Sequence, residues 1–345
     1  MKNIFLFTTA LFLSLTASAE VRYLKLSKGK AIAYEYLMAR NGAPTLVLLP
    51  GVNRALTSED PSVEILVHAG WNVVLPSLSA HPLSLQGLSK NEDPYFTQDS
   101  TVRSDSLAKD IEQLLTYLKV ERAIPVTLSY SSALGAYMDP KRFPHIIETV
   151  PMGTAMEADP QAATVASLWE NWFRLNPFMA PFWIRQFRDN SYWLYWSAAV
   201  EANLSEDPEF YGPSPRVREI KQGYVTITRA AEDFDFTKWD FSKDRRTRDF
   251  VFAENEDAGR LANQMLVLKN YLATGNAARV VVVKDAGHIL PTDQPEIYAQ
   301  VVSLLAATPQ QEGVQFVVVK ENDNLRKVRW QGRDALEAWM KQALH

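Results

Sequence analysis

Val126-Thr127-Leu128-Ser129-Tyr130-Ser131-Ser132-Ala133-Leu134-Gly135 is the stretch on which the reading of this chain turns. It continues an apolar run from Ala123, the pattern of a buried strand, and passes at once into small residues that open a helix. A side chain carried on so sharp a strand-to-helix turn stands out from the sheet. The turn closes only if the residues two before and two after it are small, because larger ones collide where the backbone folds back. Three serines compete. Ser132 has Tyr130 and Leu134 at those places, both too large. Ser129 has Thr127 and Ser131, and the branched threonine crowds it. Ser131 has Ser129 and Ala133, so steric logic selects Ser131 as an exposed nucleophile.

Outward from this turn the chain alternates strands and helices. Residues 21–25 and 30–37 predict a hairpin. Strands are expected at 45–49, 71–76, 123–128, 146–150, 250–253 and 279–283, and helices at 62–69 and 105–118. In the second helix Leu107, Ile111, Leu114, Leu115 and Leu118 share one face. This order implies an α/β fold, a mostly parallel central sheet flanked by helices. The rhythm breaks between residues 151 and 245, which hold six of the nine tryptophans and so predict an aromatic-rich helical cap. Residues 309–345 follow as a C-terminal extension, with strands expected at 314–320 and 327–330 and a helix at 334–344.

Composition narrows the chemistry. Cysteine is absent, which excludes disulfides, thiolate nucleophiles and cysteine-bound metals. Lysine and arginine total 36 against 40 acids, a net charge of −4 that disfavours a nucleic-acid partner. Only five histidines are present, too few to spare for a multi-histidine metal site, and no metal or cofactor is expected. Among them His345 is terminal, His68 lies in a helix, His145 starts a strand and His81 sits in a polar loop. His288 alone follows a late strand, Val281-Val282-Val283, and precedes a helix opened by Pro295. That position reaches a serine on a middle strand.

The chain starts with Lys2, an apolar run from Ile4 to Leu15 and Ala17-Ser18-Ala19, the pattern of a secretory signal peptide over 1–19 cleaved before Glu20. The run is short for a bilayer span. Export to a bacterial periplasm or medium is expected, with no integral span in the mature chain.

With these residues in place the sequence resembles the α/β-hydrolase family, in the branch with a cap between the sixth and seventh strands. Leu48-Leu49-Pro50-Gly51 is similar to the family's oxyanion strand, with Pro50 in place of its histidine. Ser129-Tyr130-Ser131-Ser132-Ala133 resembles Gly-x-Ser-x-Gly with both glycines replaced. Phe143-Pro144-His145 is similar to the proline before strand six, and Ala286-Gly287-His288 with Pro295-Glu296 to the histidine loop. The resemblance divides the mature chain into a first core part (20–150), the cap (151–245), a second core part (246–308) and the extension. It implies a serine hydrolase with Ser131 as nucleophile and His288 as base. The acid follows strand seven: alignment on Ala253 points to Glu256, residue type to Asp257, and both stay open. The oxyanion donors would be the Val52 and Ser132 amides, with Asn53 and Tyr130 as substrate contacts. An aromatic cap favours a small apolar or aryl ester. A serine aminopeptidase or amide hydrolase of the same fold, using cap carboxylates such as Glu157, Asp159, Glu170 and Glu201, is the first alternative. A catalytically inactive binding protein is the second.

Overall fold

The computed structural model describes residues 20–52, 55–97, 102–153, 217–232, 234–256, 258–321 and 323–343. Strands β1 (Arg22–Ser27) and β2 (Lys30–Leu37) form the hairpin. They are followed by β3 (Thr45–Leu48), β4 (Asn72–Pro76), β5 (Ile124–Leu128), β6 (His145–Thr149), β7 (Thr247–Ala253), β8 (Ala278–Val283) and β9 (Val314–Val319). These join in one sheet of order β1-β2-β4-β3-β5-β6-β7-β8-β9. The β1–β2 and β2–β4 pairs are antiparallel and all the others parallel.

Both faces of the sheet are apolar because helices cover both. Val47 and Val74 belong to one core cluster, while Leu46, Leu48, Val73 and Leu75 belong to the other. The alternation follows from the two-residue period of a strand. Helices α1 (Pro61–His68) and α2 (Ser104–Tyr117) come before the turn, and α3 (Ser131–Tyr137) directly after it. Of the expected cap, helix α4 (Val217–Glu232) and residues 151–153 and 234–245 are described, while 154–216 and 233 lie outside the described residues. Gly223 brings α4 against the loop after β4, where an added Cβ would stand 2.2 Å from the Ala80 carbonyl oxygen. Helices α5 (Ala258–Ala273) and α6 (Pro295–Ala307) follow β7 and β8.

The C-terminal extension is part of the core. β9 lies parallel to β8, and helix α7 (Arg333–Ala343) sets Trp339 against Phe252 and Phe316 at 6.0 and 5.9 Å. The second strand expected there, 327–330, does not form. Leu325–Lys327 is a 3₁₀ turn, and only Gln331 bridges to Phe316. Strand β7 is longer than expected because it starts at Thr247 with Arg248 and Asp249, buried charges that break its apolar pattern. No helix among the described residues is long and apolar enough to cross a membrane.

Candidate functional site

The carboxyl ends of four adjacent strands, β5 to β8, carry the site. Ser129 follows β5, Glu256 follows β7 and His288 follows β8. His288 Nε2 lies 2.9 Å from Ser129 Oγ, and its Nδ1 lies 2.5 Å from Glu256 Oε2. Serine, imidazole and carboxylate are thus joined in one line. The carboxylate is deeply buried, whereas His288 and Ser129 keep partial exposure. The acid position falls on Glu256, and Asp257 lies outside the described residues. Glu254 accepts from the Asp285 amide and so braces the histidine loop instead.

Ser129, and not Ser131, faces the histidine. Ser129 sits at φ 54°, a left-handed conformation that is costly for any residue other than glycine. The backbone around it is held on every side: its N–H donates to Thr149 O at 3.1 Å, and its carbonyl accepts from the Ser132 and Met152 amides. Ser131 is fully buried. Its hydroxyl accepts from the Leu128 N–H at 2.6 Å and lies 3.1 Å from the Leu128 carbonyl oxygen, so it closes the turn from inside.

The steric argument disfavours Ser129 because of Thr127, yet the structure finds room for it. Thr127 fits two residues before Ser129 because Gly135, one turn into α3, has no side chain. A Cβ there would stand 2.9 Å from the Thr127 methyl. The Thr127 hydroxyl donates to buried Glu148 at 2.7 Å. Glu148 pairs with Arg248, which also bonds Asp244 at 2.6 Å. Burial pushes the Arg248 guanidinium down to about 10. Arg246, bound to the same Asp244, donates to the carbonyls of Gly135, Ala136 and Met138. A cation there complements the carboxyl end of α3. Gly135 was the one sequence signal that permitted Ser129.

Two further expectations shift with the serine. The Ser132 amide cannot serve as an oxyanion donor, since it already bonds Ser129 O at 3.1 Å. The amide following Ser129 is that of Tyr130. The Tyr130 side chain is not a substrate contact: its ring is fully buried and its hydroxyl lies 3.1 Å from Ser104 Oγ. Val52 stands beyond the end of β3, and Asn53 lies outside the described residues. The Val52 carbonyl accepts from His81 Nε2 at 3.0 Å. His81, expected in an open polar loop, is buried, and burial lowers its pKa to about 4. It is therefore neutral at pH 7, with its proton on Nε2 because a carbonyl only accepts. Sequence pattern offered no signal for this tie, which His81 makes from the N-cap of the short helix Pro82–Leu85.

Among the described residues no group of three or more His, Asp or Glu side chains is placed to hold a metal ion. The arrangement supports transfer of a serine proton to imidazole, with a buried carboxylate orienting the ring.

Residues 46–301 match the sequence model described as the alpha/beta hydrolase family. No curated protein matches the chain. Among solved structures, a hydrolase from Pseudomonas aeruginosa PA01 is similar at 16% identity and a TM-score of 0.56, over 84% of this chain and 98% of that one. An alpha/beta hydrolase enzyme from a Medee basin deep-sea metagenome library is similar at 14% identity and a TM-score of 0.57, over 84% and 99%. The enol-lactonase from Burkholderia xenovorans LB400 is similar at 15% identity and a TM-score of 0.56, over 83% and 100%.

Proposed function

The chain belongs to the alpha/beta hydrolase family, and from that premise we propose that it is a serine hydrolase cleaving carboxylic esters through Ser129, His288 and Glu256. The observation that carries this reading is the unbroken line from Ser129 Oγ through His288 to Glu256.

Ser129 Oγ attacks the ester carbonyl carbon as His288 Nε2 takes its proton. Glu256 holds Nδ1–H, keeps the ring in the required tautomer and stabilises the imidazolium. His288 then gives the proton to the leaving alcohol. The Ser129 acyl ester is hydrolysed by a water that the same imidazole activates. The Tyr130 and Val52 amides are the oxyanion donors in this reading, each worth about 3–4 kcal/mol by analogy with known donors. Support comes from the helical turn, which leaves the Tyr130 amide at the start of α3, and from the His81 tie on the Val52 carbonyl.

The aromatic-rich segment 151–245 favours an apolar or aryl acyl group. The leader over 1–19 supports export to a bacterial periplasm or medium. Mass-spectrometric N-terminal analysis of exported protein is expected to find Glu20 first.

A fluorophosphonate probe tests the chemistry. Wild type is expected to be labelled at Ser129, Ser129→Ala to be unlabelled, and Ser131→Ala to remain labelled. Absence of labelling in wild type would favour a binding protein. A panel of aryl esters and aminoacyl amides then separates esterase from peptidase.

A further inference from the structure

Glutamate at the acid position is one methylene longer than aspartate, and its extra rotatable bond must be held for the carboxylate to meet the imidazole. Helix α5 supplies the hold. Gln264 Nε2 donates at 3.1 Å to Glu256 Oε2, the oxygen that also faces His288 Nδ1. On the other side Arg260 Nη1 stands 3.6 Å from Glu256 Oε1. The carboxylate lies between these two residues of one helix.

Gln264 is only 2% exposed, and its own amide oxygen is buried with no hydrogen-bond partner among the described residues. Turning the amide over would set that oxygen against a carboxylate, so the donor must face Glu256. A buried orphan carbonyl weakens a fold, and an apolar side chain of equal volume would avoid it. The residue is thus poor for stability and well placed for Glu256.

We propose that Gln264 is a positioning residue that locks the Glu256 carboxylate toward His288, at a cost in stability. Without it Glu256 Oε2 loses the donor that holds it toward His288 Nδ1, and the imidazole is oriented less firmly. The inference rests on the reading of Ser129, His288 and Glu256 as the catalytic set.

The test compares wild type with Gln264→Met, and with Gln264→Leu as a second variant of similar volume. The expected result is a fall of about tenfold in kcat for an aryl ester with KM little changed, the rate equivalent of losing a hydrogen bond to a charged group. Labelling by the fluorophosphonate slows in step, and Tm is equal or higher. In proton NMR the far-downfield resonance of His288 Nδ1–H weakens relative to wild type. A kcat equal to wild type, a loss carried by KM, a lowered Tm in both variants, or an undiminished resonance overturns the proposal. If wild type neither labels nor turns over an ester, the catalytic reading fails by itself. The resonance still decides whether Gln264 orients the pair.

Discussion

Two histidine–carboxylate pairs stand at opposite edges of the same strands. At the carboxyl edge, His288 faces Glu256 and turns its second nitrogen to Ser129. At the amino edge, His145 Nε2 faces Asp249 at 2.7 Å, an equally good contact. The pairs differ in what surrounds them. Both Asp249 oxygens are taken by Arg279, at 2.8 and 2.6 Å, and Arg279 also donates to the Leu305 and Thr308 carbonyls that end α6. That carboxylate is committed to structure, and no hydroxyl among the described residues bonds the His145 ring. Beside the Glu256 carboxylate a neutral amide donates at 3.1 Å, and the Arg260 guanidinium stands farther off at 3.6 Å.

Backbone strain follows the same division. Of the four non-glycine residues at positive φ among the described residues, Ser129, Val150 and Asp285 follow strands at the carboxyl edge. The fourth, Lys119, ends a helix, where a left-handed residue is common. An acid–imidazole contact alone therefore does not make a site. The proposed site adds a hydroxyl on a strained turn within reach of the other ring nitrogen.

Paired substitutions break or sharpen the contrast. The largest effect is expected from Glu256→Gln, with kcat down about ten-thousand-fold and thermal stability little changed. Asp249→Asn should do the reverse. It leaves Arg279 buried without its counter-charge, costing about 3–5 kcal/mol in urea unfolding, while the folded fraction keeps its kcat. Loss of kcat in folded Asp249→Asn protein would erase the distinction between the edges.

His81, the one of the three histidines in these contacts that is fully buried, should show in stability against pH. Burial holds its pKa near 4, below the ordinary 6.5. Between those values the unfolded chain binds a proton that the folded chain does not. Its contribution is therefore full above about pH 6.5 and falls as pH drops toward about 4, by up to about 3 kcal/mol. His81→Gln should flatten that part of the unfolding profile, as chemical denaturation across the range would show.

A smaller effect tests the packing under the turn. Gly135→Ala should cost about 1–3 kcal/mol and lower activity, because its Cβ meets the Thr127 methyl. Thr127→Ser removes that methyl, keeps the hydroxyl for Glu148 and should restore both. Additive losses in the double variant would refute the steric account. Least affected should be Ser131→Ala, at about 1 kcal/mol with ester turnover retained, since its hydroxyl only braces the turn.

Much of this was readable in advance because it depends on local pattern. Continuous apolar runs marked β3, β5 and β8, and the loop position of His288 set it apart from the other four histidines. Ser129 breaks a local rule whose exception is long-range. The room for Thr127 comes from Gly135, across the turn on the next helix. Gln264 gave no signal, since a glutamine on the inner stripe of α5 reads as one more core position. Arg248 and Asp249 hid the start of β7, because the partners that let them be buried there include Glu148 and Arg279 on the neighbouring strands.

The amino-acid order by itself determined the alternating elements, the parallel sheet, the strand ends on which function would sit and the histidine among five. Periodicity and turn chemistry act over a few residues, so they survive reading in one dimension. Which serine meets that histidine, which nearby acid turns inward and what holds it there were decided only by tertiary structure. Those choices depend on atoms brought within about 3 Å from residues 159, 32 and 8 positions apart, where packing volume and buried charge outweigh local preference.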